Sequence, residues 1–311
     1  MTAPVINTPA HLEHRVNTPD GRTLGVAEWG DPNGLPLIAM HGTPGGRITY
    51  WEDPTIYSRH GLRRITYDRP GYGESTRHKG RSIADVVADV AAITEALGIE
   101  RFVVSGGSGG GPHCLATAAL MPDRVIRCLA EVSIAPYPSA GLDWLAGMTQ
   151  GNIDEFSAAM EGEEPMRAIA ERERRTTLDR LADGRADFLG DSYELSEADK
   201  AQMEKHLTRV ADQLFSALAP GVDGWVDDML AFVRPWGFDV ASIRVPTAIK
   251  FGRTDNLVPA AHGDWLAAHI PNAIVEAHDL AGHAGDDAEV ERLHSWISGE
   301  ISDLSPVAAP H

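Results

Sequence analysis

The chain has 311 residues, 43% of them hydrophobic and 23% charged, which is typical of a soluble globular protein and excludes a largely disordered one. The 27 lysines and arginines are outnumbered by 45 aspartates and glutamates, and the net charge of −18 argues against a nucleic-acid partner. Residues 1–16 lack a basic stretch followed by an apolar one, and no apolar run is long enough to cross a bilayer. We therefore expect a soluble, cytoplasmic protein with no membrane partner.

Cysteine and histidine patterns give little support for a disulfide framework or a metal site. Cys114 and Cys128 are the only cysteines, and each lies in an apolar run where a small buried side chain is expected. His11 and His14 are close in sequence, but they belong to a segment that we expect to be frayed, and no H-E-x-x-H pattern occurs. The sequence predicts neither a metal nor a cofactor.

Predicted strands and helices alternate along the first part of the chain. Residues 12–30 form two short runs around a Pro-Asp-Gly turn, as in a β-hairpin. Apolar runs at LPLIAM, LRRITYD, RFVVSG and VIRCLAEVSI each end in a glycine-rich or polar loop. A helix is predicted between the second and third of these runs, with Ser82 as its candidate N-cap and Gly98 near its C-cap.

The pattern changes after Pro138. Residues 139–240 contain only helix-type segments, such as NIDEFSAAMEGEE, ADKAQMEKHLTRVADQLFSALA and VDDMLAFV. The alternation resumes with VPTAIKFG, PAAHGDWLAAHI, AIVEAHDL and a final helix around AEVERLHSWISGEI. We therefore predict an α/β fold with a mostly parallel eight-stranded sheet and helices on both faces. Residues 1–138 and 241–311 would form the core and residues 139–240 a helical cap, while roughly the first ten residues and the last seven would be loose.

Five glycines surround Ser108 between a predicted strand and a predicted helix, in the segment SGGSGGGP. A dinucleotide-binding fingerprint needs glycines at i, i+2 and i+5, and no starting position satisfies this spacing. A Walker A loop needs a Gly-Lys-Ser/Thr ending, which is absent. The remaining interpretation is G-x-S-x-G, in which small neighbours let a serine occupy a strained turn from strand to helix with its hydroxyl exposed.

With this element order, the chain resembles the α/β-hydrolase superfamily over most of its length apart from the ends and the helical insertion. The segment HGTPGG, residues 41–46, follows the third predicted strand and is similar to the HG-x-P-G oxyanion loop of that family. The resemblance implies that the backbone N–H groups of Thr43 and Gly109 hold the developing oxyanion. DRPGYGES, residues 68–75, is also similar to a family turn, and we interpret it as a structural loop because Gly71 and Gly73 are turn residues.

A nucleophilic serine needs a histidine as its base, and the histidine needs an acidic side chain that orients it. In this fold the three residues follow one another along the chain in the order Ser, acid, His. Asp255 and His283 each follow a predicted strand, in GRTDNLVP and AGHAGDD, where open α/β sheets carry their sites. Asp143, which follows the strand predicted at VIRCLAEVSI, is the alternative acid, but it lies in the segment that opens the helical insertion. The other rivals are weaker, because His278 and Asp279 fall within a predicted strand and His113 and Asp264 within predicted helices.

These residues predict a serine hydrolase that cleaves a carboxylic ester or lactone of a small, largely apolar molecule through an acyl-enzyme. A similarity to proline iminopeptidases leaves an aminopeptidase open, with the glutamates of EGEE, residues 161–164, holding a substrate amine. A ligand-binding receptor of the same fold is the alternative from another class. The sequence leaves open whether the chain forms a homo-oligomer.

Overall fold

The computed structural model describes residues 10–50 and 53–304, and it contains the predicted eight-stranded sheet. The strands are β1 (Leu12–Asn17), β2 (Thr23–Gly30), β3 (Leu35–Met40), β4 (Leu62–Tyr67), β5 (Phe102–Gly107), β6 (Val125–Glu131), β7 (Thr247–Gly252) and β8 (Ile274–His278). Their order across the sheet is β1-β2-β4-β3-β5-β6-β7-β8. β1 and β2 form the predicted hairpin and β2 pairs antiparallel with β4, whereas every later pairing is parallel.

Helices cover both faces of this sheet, because successive strand side chains point to opposite sides. The helices of the core are α1 (Thr55–Arg59), α2 (Val86–Ala96), α3 (Gly111–Leu120), α9 (Ala260–His269) and α10 (Asp287–Ser298). In β3, Ile38 and Met40 join one buried cluster with α2, α3 and α9, whereas Leu37 and Ala39 join another with α1 and α10. The parallel strands are therefore buried on both faces, as their nearly continuous apolar runs predict.

The segment between β6 and β7, which we call the helical insertion (residues 139–240), contains helices and no strand. Its helices are α4 (Gln150–Glu161), α5 (Glu163–Ala182), α6 (Glu197–Lys205), α7 (Leu207–Ala217) and α8 (Asp223–Phe232). The division of the chain into a core and a cap at residues 138 and 240 stays a prediction.

Two helix-type segments of the insertion are interrupted where a single helix was expected. Gly162, at φ 140°, separates α4 from α5, because a glycine in this region of φ ends a helix. His206 leaves the helical conformation between α6 and α7 and is buried, so packing overrides the helical pattern there.

Some local expectations are corrected by the structure. The segment of His11 and His14 is not frayed, because β1 contains His14 and the ring of His11 stacks on Trp29. Asp279 lies one residue beyond β8 instead of inside it, since the strand ends at His278. The predicted loose ends fall almost entirely on residues 1–9 and 305–311, which lie outside the described residues.

The predictions for the two cysteines and for the two ends of α2 are confirmed. Cys114 and Cys128 are free and fully buried side chains. Ser82 and Asp85 form a capping box ahead of α2, and Gly98 has the positive φ of 65° that suits the end of a helix. None of the helices in the described part of the chain is long and apolar enough to cross a membrane.

The strand order places a crevice where the connections change direction. From β3 the chain continues to β4 on one side, whereas β5 pairs on the other side of β3 and leads to β6. Met40 pairs with Gly106, so the loop that starts at His41 and the turn at Ser108 begin side by side. Ligands of open α/β sheets bind at such a switch point, at the carboxyl ends of the strands.

Candidate active site

Ser108 occupies a strained turn between β5 and α3, as its glycine-rich neighbours predict. Its φ of 53° is in the left-handed region, which residues with a Cβ avoid, and a short 3-10 turn, Ser108–Gly110, leads into α3. A Cβ on Gly106 would lie 2.3 Å from the carbonyl oxygen of Gly110. The turn is therefore too tight for a side chain at Gly106, which explains the glycine two residues before the serine.

The loop after β3 brings Thr43 against the start of the Ser108 turn. A Cβ on Gly109 would lie 2.3 Å from Thr43 Oγ1, and a Cβ on Gly42 would lie 3.6 Å from Ser108 Cβ. The N–H of Gly109 belongs to the first residues of a helical turn, which have no intrahelical partner. The two backbone amides that the resemblance assigns to an oxyanion thus belong to residues in direct contact beside Ser108.

Asp255 and His283 form a hydrogen-bonded pair on the loops after β7 and β8. His283 Nδ1 donates to Asp255 Oδ2 at 2.8 Å, while Asp255 Oδ1 accepts from the backbone N–H groups of Leu257 (2.8 Å) and Val258 (2.9 Å). The carboxylate has no exposed side-chain surface, so these bonds fix its orientation. With its proton on Nδ1, a neutral His283 keeps Nε2 as the basic nitrogen.

A carboxylate of the helical insertion supports the same histidine loop. Asp199 of α6 is fully buried and accepts a hydrogen bond from the N–H of Ala284 at 2.8 Å. Burial by itself lowers the pKa of His283, but the charge and hydrogen bond of Asp255 outweigh it, and Asp199 adds to their effect. The pKa of His283 is therefore raised above its ordinary value of 6.5.

Ser108 and His283 line the same cavity, together with Thr43 and Gly109. Among the described residues, His283 forms its side-chain hydrogen bond with Asp255, and Ser108 Oγ and His283 Nε2 are not hydrogen-bonded to each other. Such bonds are often long without a substrate and tighten in the Michaelis complex, so this geometry is compatible with a nucleophile and its base. The structure thus brings all five residues predicted from the sequence to one place, since Asp255 is bonded to His283.

The cavity has a volume of about 300 Å³ and a mostly apolar wall supplied by the helical insertion. Four apolar residues of the helical insertion contribute to this wall, namely Phe156, Trp225, Met229 and Phe232. Trp144 and Met148, two further apolar residues of the insertion, are buried in the hydrophobic core and do not line the cavity. A cavity of this size and composition suits a small molecule with an apolar body.

Polar side chains also line the cavity, and they include two buried glutamates. Glu155 accepts hydrogen bonds from the hydroxyl of Tyr193 and from Trp225 Nε1 at 3.2 Å, and burial raises its pKa to about 7. Glu173 is the second glutamate of the wall. The EGEE segment, residues 161–164, does not contribute to the lining of this cavity, and its Glu163 forms ion pairs with Arg77 and Lys79.

A buried ionic network lies behind the oxyanion loop. Asp228 of α8 accepts hydrogen bonds from Arg69 Nη2 at 2.6 Å, from Arg81 Nη1 at 2.8 Å and from the hydroxyl of Tyr72 at 3.0 Å. Thr43 Oγ1 donates to the same carboxylate at 2.7 Å. Burial opposes the charge of Asp228, but Arg69 and Arg81 hold its pKa well below the ordinary range.

Two buried histidines of the region are neutral supports. His41 Nδ1 donates to the carbonyl of Gly42 at 2.7 Å, and its Nε2 accepts from the N–H of Arg69 at 3.1 Å. His113 Nδ1 donates to the carbonyl of Gly109 at 2.9 Å. Burial lowers both pKa values, that of His113 to about 3, and the charge of Arg69 adds to the effect.

Three rival site residues of the sequence analysis, Asp143, Asp264 and His278, do not line the cavity. Asp143 is exposed and Asp264 forms an ion pair with Arg253, so neither contacts the histidine of the cavity. His278 lies beside Glu276 and Arg292. No group of three or more His, Cys, Asp or Glu side chains within residues 10–50 and 53–304 is arranged to hold a metal ion.

The comparison with protein families gives the same class as the fold and the site. The model of the alpha/beta hydrolase fold matches residues 36–285, which is most of the chain. The chain therefore belongs to the α/β-hydrolase family, as its sequence motifs predicted.

Curated relatives carry several different names. A non-heme chloroperoxidase of Streptomyces lividans is 33% identical over 47% of this chain and 53% of its own length. A proline iminopeptidase of Xanthomonas citri is 36% identical over 32% of this chain, and the match spans 33% of that protein. A 2-hydroxy-6-oxononadienedioate/2-hydroxy-6-oxononatrienedioate hydrolase of Paraburkholderia phymatum is 25% identical over 96% of this chain and 98% of the relative. The first two matches thus span only about half and a third of those relatives.

Solved structures match the fold over nearly the whole chain. An esterase from Thermogutta terrifontis has a TM-score of 0.63 at 20% identity, covering 92% of this chain and 96% of that one. An enol-lactonase from Burkholderia xenovorans has a TM-score of 0.63 at 19% identity, covering 94% and 100%. At these identities the likeness defines the fold alone.

Proposed function

We propose that the protein is a serine hydrolase that cleaves a carboxylic ester or lactone of a small, largely apolar molecule. The observation that carries the proposal is the left-handed turn at Ser108, which shares one cavity with the Asp255-bonded His283. Ser108, Asp255 and His283 follow one another along the chain in the order nucleophile, orienting acid and base, as expected for this fold. The esterase and enol-lactonase names among the structural matches agree with this class of reaction.

In the proposed reaction, Ser108 Oγ attacks the acyl carbon while His283 Nε2 takes the hydroxyl proton. The carbonyl oxygen becomes an oxyanion that accepts hydrogen bonds from the N–H groups of Thr43 and Gly109. His283 then gives its proton to the leaving oxygen, which departs as an alcohol, or stays tethered to the acyl group in a lactone. Water, deprotonated by His283, attacks the acyl-enzyme, and His283 returns this proton to Ser108 Oγ as the bond between Oγ and the acyl carbon breaks and the acid is released.

The experiment that tests this function compares substrates with the same acyl group. A p-nitrophenyl ester, an aliphatic ester, a lactone of similar size and the corresponding p-nitroanilide are assayed with the wild-type protein and with Ser108→Ala. We expect the esters or the lactone to be turned over many times and Ser108→Ala to lose about 10⁴-fold or more of that activity. Binding without repeated turnover would contradict the hydrolase and favour a receptor.

An aminopeptidase is the second candidate, and the buried glutamates of the cavity favour it. Glu155 and Glu173 line the cavity that contains Ser108, and carboxylates of this kind can bind a substrate ammonium group. The proline iminopeptidase name of a relative points in the same direction. Prolyl p-nitroanilide separates the two functions, because an aminopeptidase cleaves it faster than its N-acetylated form, whereas an esterase has no reason to prefer the free amine.

A further inference from the structure

One carboxylate of the helical insertion joins three parts of the core. Asp228 binds Thr43 of the loop after β3, Arg69 and Tyr72 of the loop after β4, and Arg81, which precedes α2. Asp228 has no exposed surface, and both arginines are almost completely buried. The connection therefore lies inside the molecule, where hydrogen bonds are not replaced by water.

The contacts with the oxyanion loop are direct. Thr43 Oγ1 donates to Asp228 at 2.7 Å and accepts from Arg69 Nη2 at 2.8 Å, so both hydrogen-bonding directions of the hydroxyl are used. Arg69 also donates to the carbonyl oxygens of His41 and Gly42, at 3.0 Å for the latter. These hydrogen bonds hold the residues on both sides of the Gly42–Thr43 peptide bond, whose N–H is the one assigned to the oxyanion.

Helix α8 reaches the second amide as well. Phe232 lies four residues after Asp228, so the two side chains share one face of the helix. A Cβ on Gly109 would lie 3.0 Å from Phe232 Cζ, which means that the ring packs directly on this glycine. One face of α8 thus contacts Thr43 through Asp228 and Gly109 through Phe232.

Stability alone is a poor reason for such a network. A buried carboxylate with two guanidinium groups loses its hydration, and this loss offsets most of the attraction between the charges. What the network does supply is direction, because a carboxylate that accepts from four donors allows few arrangements of the loops that carry them.

We propose that Asp228 is a positioning residue for the oxyanion loop, through which the helical insertion completes the active site. This inference rests on the proposed serine hydrolase. Asp228 acts through Thr43 and Arg69, and it holds the N–H of Thr43 against the Ser108 turn. Its loss should therefore weaken binding of the transition state more than binding of the substrate.

The first test compares Asp228→Asn with Asp227→Asn. Asp227 is the neighbouring residue of α8, is equally buried and binds Arg77 at 2.8 Å, so it controls for the loss of a buried carboxylate from the same helix. We expect Asp228→Asn to lower kcat by about 10²-fold with a much smaller change in KM, because a donor displaced by a fraction of an ångström fails mainly in the transition state. Asp227→Asn should retain nearly all of kcat.

The second test avoids an unbalanced buried charge, in case Asp228→Asn fails to fold. Thr43→Val removes only the hydroxyl that joins the loop to Asp228 and keeps the backbone N–H, whereas Thr43→Ser restores the hydroxyl. We expect Thr43→Val to lose at least about tenfold in kcat, with weaker inhibition by a boronic acid whose serine adduct mimics the tetrahedral intermediate. Thr43→Ser should recover most of both, and thermal unfolding should be similar in the two variants.

The outcomes separate this inference from the function on which it rests. Wild-type kcat and wild-type boronate inhibition in Thr43→Val would overturn the positioning role while leaving the hydrolase intact. Equal losses in Asp227→Asn and Asp228→Asn would also overturn it, because the effect would then belong to any buried charge of α8. A wild-type protein that hydrolyses none of the substrates would overturn the proposed function, and the positioning role with it.

Discussion

Replacing Asp255 by asparagine removes one charge and keeps the size and shape of the side chain, so it isolates the role of this residue in directing His283. Asp255 Oδ1 accepts from the N–H groups of Leu257 and Val258, and both donors still need an oxygen in the variant. The amide oxygen of the introduced side chain therefore stays with them, and its NH₂ group points to His283 Nδ1. A donor at this position forces His283 to carry its proton on Nε2, which cannot then accept the proton of Ser108.

The expected effect is a loss of about 10⁴-fold in kcat, the size of the effect of a wrong histidine tautomer in a serine hydrolase. A second effect concerns pH. The Asp255 charge raises the pKa of His283 above 6.5, so activity in the wild-type protein should increase with pH through that raised value. Without the charge the pKa falls, and the residual activity of Asp255→Asn should reach its plateau at a lower pH.

The assay is the pH profile of kcat/KM for a p-nitrophenyl ester, recorded for the wild-type protein, Asp255→Asn and Asp143→Asn. Asp143 is exposed and is the alternative acid of the sequence analysis, so its variant controls for the chemical change. We expect Asp143→Asn to keep the wild-type profile. A small loss in Asp255→Asn with a large loss in Asp143→Asn would refute the assignment of the acid.

Three further predictions concern the space, charge and field of the cavity. Gly109→Ala should lower kcat/KM for ester hydrolysis by about 10²-fold, because the added Cβ would lie 2.3 Å from Thr43 Oγ1. Gly107→Ala is the control, because its Cβ would meet nothing within 4 Å, and its kcat/KM should stay close to that of the wild-type protein. The pKa of Glu155 is raised to about 7 in the folded protein, whereas it is 4.5 in the unfolded chain. Between these two pH values the folded protein holds a proton that the unfolded chain releases, so the free energy of unfolding falls as pH rises. The wild-type protein should therefore lose about 2 to 3 kcal/mol of stability relative to Glu155→Gln between pH 5 and 8, and an equal pH dependence of the melting temperatures of the two proteins would contradict this. Finally, the insertion carries 21 acidic against 10 basic residues, and this negative charge should repel anionic substrates. We therefore expect kcat/KM to be lower for a carboxylate-bearing ester than for its neutral analogue, by a factor that shrinks as the salt concentration rises. Equal rates at low salt would mean that this charge does not act on the site.

The sheet, Ser108, Asp255 and His283 could be predicted because their signals are local, whereas Thr43 and Gly109 were assigned only through the resemblance to the family's oxyanion loop. The parallel strands of the sheet are apolar runs that end in loops, and the strained turn at Ser108 needs small neighbours that are visible in the sequence as glycines. Asp255 and His283 were found by their position just after β7 and β8, since the topology brings the carboxyl ends of parallel strands to one edge. The roles of these residues in catalysis stay predictions.

The buried charges of the helical insertion could not be predicted. Asp227 and Asp228 are neighbours in the segment VDDML, and nothing in their local sequence distinguishes them, yet one binds Arg77 and the other reaches the oxyanion loop. The difference depends on how α8 is rotated against the core, and helical periodicity does not fix that rotation. The same limit applies to Glu155, whereas Arg69 could have been noticed as a charged residue inside an otherwise turn-forming segment, RPGYG.

Covalent labelling of Ser108 tests the central claim most directly. A fluorophosphonate probe reacts much faster with a serine that is activated as a nucleophile than with an ordinary one, and peptide mass spectrometry then identifies the residue that carries the adduct. We expect one adduct per chain on Ser108 and no labelling of Ser108→Ala, with labelling of Asp255→Asn slowed in parallel with its turnover. Labelling that persists in Ser108→Ala, or a wild-type protein that turns over esters without an adduct on Ser108, would contradict the account.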